Sequence, residues 1–466
     1  MSDARPSTHQ KALQINLDAG KYGTFAEIGA GQEVAHWFFL VGRAAGTVAK
    51  TISAYDMSVS DAIYGRSDRY VSRQRLESML KYEFDLLLQR LGQSRGDRST
   101  FFAFADTVAT RGRGEPGNGW LGIRLQTQPH GEPSEIIIHV VMQDLESMHQ
   151  REALGVIGVN LIYGAFFYHD QPLTLIASLM DDLRRERVEV DMIKFGGPAF
   201  AGVDNRLMSL QLVEQGFTDA AMFTAAGEVV QPSEVLYKKP ILVERGRFRP
   251  LTNLTLDLLE RATEQFVAQP ELQGEEPIVL MEMTLRDLEQ ASGIDSQDFL
   301  ARVDTLGTLG KTVLISSFGR YFRLVEYLCH FTPQPIAIAV GIPSLRDIAD
   351  EKYYPDLRGG ILESVGRLFK QNVKLYVYPY RDPATGTVTT AETLQVAPPQ
   401  RHLLAYLLEN QYLQPIRGFN PAYLRLTSPE VLAKIQSGDS AWEAMVPAPI
   451  VATIKRDRLF GWHPPA

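Results

Sequence analysis

The chain has 466 residues, 45% of them hydrophobic, with 47 Lys or Arg against 55 Asp or Glu and a formal net charge of −8. That length allows two or three domains, or one large α/β unit with insertions, and supplies ample apolar material for a core. No Lys/Arg-rich block offsets the acidic balance, which argues against a nucleic-acid partner, and the single cysteine, Cys329, rules out a disulfide framework or a Cys-rich metal site.

The first ten residues, MSDARPSTHQ, are polar, and 1–20 is expected to be a disordered tail. No apolar stretch there could serve as a secretory signal. The longest apolar span, 155–167, falls short of the ~20 residues a bilayer needs, so the expectation is a cytoplasmic protein without a membrane anchor. From Tyr22 the chain reads as a short strand, a glycine turn, an apolar helix and a second strand carrying Asp56. Gly29 and Gly31 would form a tight turn that aims helix N–H groups at a phosphate, and Asp56 could meet a ribose hydroxyl, as at a dinucleotide site. The segment AEIGAG also resembles the first glycine motif of S-adenosylmethionine-dependent methyltransferases. Against this, Val34 or Ala35 stands where a third glycine belongs, and the alternative is a helix packed through Val34, Trp37, Phe38 and Val41.

Residues 68–93 have the 3.6-residue apolar spacing of an amphipathic helix. Segments 99–110, 119–128 and 134–145, divided by Gly/Pro-rich turns, read as an antiparallel meander that completes an α+β portion over 21–150. His139 lies in the third of these and reads as a strand residue. The stretch 151–170 is apolar on all sides, with Gly155, Gly158 and Gly164 permitting close backbone approach. A helix over 173–187, a strand over 188–198, a helix over 204–216, strands at 219–224 and 239–246 and a helix at 254–269 follow.

From Pro277 four apolar runs (277–284, 311–317, 335–341 and 373–380) alternate with helical segments at 298–310, 321–331 and 360–371. Strands without polar alternation, separated by helices, predict a mainly parallel sheet with flanking helices, and the α/β core is set at 151–380. After the turn at 382–387, helices at 401–413 and 428–438 make 381–466 a helical extension, with Ser428 as a cap, Pro429 at a first position and Gly438 as a stop.

In open parallel sheets ligands bind beyond the carboxyl ends of strands, near helix N-termini. That rule selects Ser316, Ser317, Gly319 and Arg320 after one strand, Gly341, Ser344 and Arg346 after another, and Arg358, Gly359 and Gly360 before a helix. Hydroxyls, flexible glycines and bidentate arginines are the parts of an anion site. Glu282 and Thr284 stand at a further strand end. Arg245, Arg247 and Arg249 alternate, so in an extended segment they would share one face, as a phosphate-binding strip or a subunit interface. No nucleophile elbow, zinc-protease or phosphate-loop motif occurs, the nine histidines are scattered, and no catalytic residue, metal or cofactor is assigned.

The stretches FAEIGAGQEVA, SAYDMS, DNRLMSLQLV, PSEVLYKKPILVERG and GGILES resemble a bacterial family of about this size without an established activity. Its members bear names such as nicotinate-nucleotide adenylyltransferase or TonB-dependent receptor. The first name requires an HxGH motif that this chain lacks, and the second requires a barrel of alternating strands. The resemblance implies a bacterial, cytosolic protein and transfers no catalytic residue. Two functions stay open: binding of a phosphorylated or nucleotide-like metabolite at the strand ends, or a non-catalytic homo-oligomeric assembly.

Overall fold

A computed structural model describes residues 5–110, 116–291 and 293–464. The chain forms two compact units, 1–219 and 220–466. The division therefore falls some seventy residues later than the sequence boundary at 150, because the strand expected to open the α/β core pairs with the meander instead.

In the first unit six strands lie in the order β2-β1-β3-β4-β5-β6. They are β1 (Lys21–Ile28), β2 (Val48–Ile52), β3 (Thr100–Ala109), β4 (Gly117–Leu125), β5 (Ser134–Met142) and β6 (Val188–Gly196). β1 pairs in parallel with both β2 and β3, and the remaining pairs are antiparallel, so the predicted meander is present and β6 extends it. Among the described residues seven α-helices accompany the sheet: α1 (Thr8–Asn16), α2 (Glu33–Leu40), α3 (Met57–Tyr64), α4 (Arg73–Arg95), α5 (Ser147–Phe167), α6 (Pro172–Ser178) and α7 (Asn205–Glu214).

Strand β3, TFFAFADTVA, is apolar on both faces because both are covered. Phe102 and Phe104 join Phe25 and Phe38 in a core with α1, α2 and α5, at ring separations from Phe25 of 5.0 to 6.0 Å. Phe101 and Ala103 face Phe84 and Leu87 of α4. The glycines of α5 are packing residues: a Cβ on Gly158 would lie 2.3 Å from Val34 Cγ2. Ordered structure begins earlier than expected, since α1 is capped by Ser7 and anchored by buried Lys11, which bonds Asn160 Oδ1 at 2.8 Å and Asp181 Oδ2 at 2.6 Å. The helix expected over 173–187 stops at Ser178, where Asn160 draws in the carbonyls of Leu179 and Asp181.

The second unit holds an eight-stranded sheet in the order β18-β15-β14-β9-β10-β13-β7-β8. Its strands are β7 (Ala220–Phe223), β8 (Val229–Val230), β9 (Ile241–Arg245), β10 (Ile278–Thr284), β13 (Thr312–Ser316), β14 (Ile336–Gly341), β15 (Val373–Tyr378) and β18 (Leu413–Pro415); β11 with β12 (Glu289–Gln290, Gly293–Ile294) and β16 with β17 (Tyr380–Arg381, Val388–Thr389) form small hairpins. β7 and β8 make an antiparallel edge. The other six strands are parallel, and counted in chain order they run 6-5-4-1-2-3 across the sheet, the open doubly wound order of dinucleotide-binding folds. The predicted mainly parallel α/β sheet is thus present, open rather than closed, and confined to this unit.

The helices are α8 (Pro232–Leu236), α9 (Asn253–Val267), α10 (Leu285–Leu288), α11 (Ser296–Thr308), α12 (Tyr321–Cys329), α13 (Ile342–Ile348), α14 (Gly360–Leu368), α15 (Arg401–Glu409), α16 (Ser428–Ser437) and α17 (Ala448–Asp457). Ile241, Val243, Leu280, Leu314 and Ile338 bury one face under α12, α13, α14 and α15. The alternate residues face α9, where Phe266 lies 6.0 Å from Tyr376 and Asp257 accepts the Tyr378 hydroxyl at 2.6 Å. The region after 380 is not wholly helical, since β18 adds a strand beside β15. Its helix α16 is capped by Thr427 rather than Ser428, whose hydroxyl donates instead to the Pro250 carbonyl at 3.1 Å. Among the described residues no helix is long and apolar enough to cross a membrane.

Candidate ligand-binding site

Strand order fixes where a ligand crevice can open in the second unit. From β9 the chain moves to β10 and β13 on one side, then crosses back to β14 on the other. Adjacent strands β9 and β14 therefore send their carboxyl-end loops in opposite directions, and the gap outside their ends is the switch point at which doubly wound sheets take ligands. The loop 246–252 follows β9, and α13 begins directly after β14.

The floor of this region is a buried polar cluster. Arg245 and Glu282 are register partners, and the guanidinium grips the carboxylate with both arms, Nε to Oε2 at 2.8 Å and Nη2 to Oε1 at 2.9 Å. Ser316, on the next strand, donates its hydroxyl to Glu282 Oε1 at 2.6 Å. Tyr321 lays its ring 4.4 Å from the guanidinium carbon, and its hydroxyl bonds Ser344 of α13. Glu282 and Ser316 are fully buried. Burial alone would depress the Arg245 guanidinium, and the Glu282 carboxylate more than restores it; burial raises the Tyr321 phenol. A charge pair this dry is held by its hydrogen bonds and orients every group it touches.

Three residues selected from the sequence, Arg245, Ser316 and Ser344, thus converge, joined by Glu282, which the sequence placed at a strand end, and by Tyr321, which it did not single out. The signal for Glu282 was an acid inside the apolar run PIVLMEMT, a position that demands a buried partner.

The remaining selected residues are dispersed. Ser317 and Gly319 are exposed in the loop after β13. Arg320 is held by Asp356, with one arm at 3.0 Å. The Gly359 amide donates to Glu363 of its own helix at 3.0 Å, and Gly360 takes φ 53°, where a Cβ would lie 2.4 Å from Glu351. Gly341 ends β14 and leads into α13. The three alternating arginines do not form one strip, because β9 ends at Arg245 and Phe248 turns the chain at φ 47°. Arg247 is 72% exposed and 3.8 Å from Asp287, while Arg249 bonds Asp298 at 2.5 Å. Arg346, over the Tyr380 ring at 5.9 Å, and exposed Arg358 form no ion pair among the described residues.

The glycine turn of the first unit also lies at a switch point, between β1 and β3, since β1, α2 and β2 form a parallel crossover and β3 returns to the other side of β1. The helix amides a phosphate would use are already occupied. Glu27 Oε2 accepts from the Val34 amide and Oε1 from the Ala35 amide, each at 2.9 Å. Asp106, the register partner of Glu27, is equally buried, accepts from the Ile28 amide at 3.2 Å and leaves Oδ2 without a partner among the described residues. Burial pushes the Glu27 carboxyl up to about 7, and burial with the neighbouring Glu27 raises Asp106 well above the carboxylate range. Glu27 thus takes the place at this helix N-terminus that a phosphate would need. Asp56 lies beyond β2 and caps α3 through the Val59 amide. Gly29 is needed for packing, since a Cβ would meet the Val108 carbonyl oxygen at 1.8 Å.

Among the described residues no cluster of three or more His, Cys, Asp or Glu forms a metal site. No protein-family model and no curated protein matches the chain. Among solved structures it is similar to a competence/damage-inducible protein from Agrobacterium tumefaciens, at 19% identity, over 35% of this chain and 97% of that one, with a TM-score of 0.26. A competence-damaged (CinA) superfamily protein from Enterobacter cloacae gives 15% identity, 35% and 95% coverage and a TM-score of 0.27. Superpositions this loose carry no argument about function, which rests on the geometry above.

Proposed function

We propose that the C-terminal unit binds a phosphorylated or nucleotide-like metabolite in the crevice between β9 and β14. The observation that carries this reading is the doubly wound strand order with a desolvated Arg245–Glu282–Ser316–Tyr321 cluster at its switch point. The cluster itself is charge-balanced and acts as a rigid floor. Anion contacts fall to exposed groups in the two segments that follow the strands of the switch point, Arg247 after β9 and Arg346 on α13. An arginine fork suits phosphate because two parallel N–H groups match two oxygens.

The test is calorimetric titration of the whole chain with nucleotides and sugar phosphates, repeated on Arg247→Ala and Arg346→Ala. The reading predicts that each variant weakens the wild-type interaction while unfolding at an unchanged temperature. Light scattering on the same samples distinguishes a role in subunit contact, which would change the oligomer mass instead.

A further inference from the structure

The first unit carries a half-open pocket of about 250 Å³, lined by both charged and apolar groups, at the end of the sheet opposite its glycine turn. It opens where Lys21 and Thr100, register partners, begin the parallel strands β1 and β3, and is closed by the end of α5 and the turn after β4. Its chemistry is cationic. Lys21 is held by an ion pair with Asp18 and lies 5.3 and 4.9 Å from the rings of Phe166 and Phe167, which fixes its position. Arg98, exposed on the rim, makes no side-chain hydrogen bond or ion pair among the described residues. His169 lines the same pocket and keeps a buried Nδ1 without a partner among the described residues. Two cations and an imidazole therefore face one carboxylate, in a chain whose net charge is −8.

We infer that this cavity is a binding site for a small oxyanion, a free phosphate or the phosphate of a small phosphomonoester. Arg98 has its full fork available and offers two parallel donors, Lys21 adds a second charge, and the Thr127 hydroxyl is available on the rim. The volume is below the roughly 300–1,000 Å³ of sites for drug-sized ligands, which restricts the guest to a fragment, and Phe166 offers an apolar wall for a short carbon chain. A positive cleft on an acidic protein also concentrates anions from solution. This site is separate in sequence from the crevice of the second unit.

The test is isothermal titration of the full chain with inorganic phosphate and with glycerol 3-phosphate at constant ionic strength. Saturable binding is expected, weakened at least about tenfold in Arg98→Ala and unchanged in Arg346→Ala. Circular dichroism checks that Arg98→Ala, an exposed position, remains folded. Tighter binding of glycerol 3-phosphate would support the phosphomonoester as guest, and equal or tighter binding of inorganic phosphate would support the free ion. Absence of saturation with either probe, or wild-type affinity in Arg98→Ala, would overturn the site.

Discussion

Arg245 and Glu282, neighbours across β9 and β10, meet in a two-armed pair that buries the carboxylate completely and covers the guanidinium with Tyr321. Removing one partner leaves a desolvated charge alone, so Glu282→Ala should destabilise the protein by about 3 to 5 kcal/mol. Replacing both, as Arg245→Met with Glu282→Leu, should recover most of that loss, because a dry apolar pair has no desolvation cost to offset. Denaturant unfolding of the two variants checks the difference; equal losses would mean the pair is not desolvated.

The paired acids Glu27 and Asp106 make stability fall with rising pH. Both have folded pKa values above those of the unfolded chain, so their contribution is fully present at pH below the unfolded values, 4.5 for Glu27 and 3.8 for Asp106, and is lost as pH rises through the folded ones, about 7 for Glu27. Asp106→Asn removes one charge while keeping an acceptor for the Ile28 amide. Its unfolding midpoint at pH 8 should exceed that of the wild type, and the decline between pH 4.5 and 7 should flatten. A lower midpoint at pH 8 would show that the pair is stabilised as anions.

Gly29→Ala separates the structural and cofactor roles of the glycine turn. With φ at 107° and a carbonyl oxygen 1.8 Å from the new Cβ, the substitution should cost about 2 kcal/mol or more without any ligand present. Unchanged stability in chemical denaturation would contradict the packing role.

Arg320→Ala should leave both the unfolding midpoint and ligand affinity nearly unchanged, because its guanidinium already engages exposed Asp356. Loss of ligand binding in this variant would mean that the Asp356 contact opens to admit the ligand.

The alternation of apolar runs with helices between 277 and 380 made the parallel sheet legible, since two-sided burial removes polar residues from strands. The strand order was not legible, because it depends on which edges pair across long crossovers; β6 and β7 read alike in sequence and joined different sheets. Of the site, the serines and Arg245 were visible at strand ends. The partners were not: Glu282 ties Arg245 and Ser316 inward, and Asp356 occupies Arg320, contacts that arise only when distant segments meet. The acids at Glu27, Asp106 and Glu282 share one sequence trait, a charge inside an apolar run, which marks a buried polar group because such a position leaves the charge no water.

The most direct measurement is a thermal-unfolding panel of nucleotides and dinucleotides, guests too large for the first-unit pocket, on the wild type and on the Arg247→Ala/Arg346→Ala double variant. A ligand at 100 times its dissociation constant adds about 2.7 kcal/mol and raises the midpoint by several degrees. The account predicts at least one such shift in the wild type, lost in the double variant and kept in Arg98→Ala. No shift from any compound, or a shift that the double variant retains in full, would contradict a ligand site between β9 and β14.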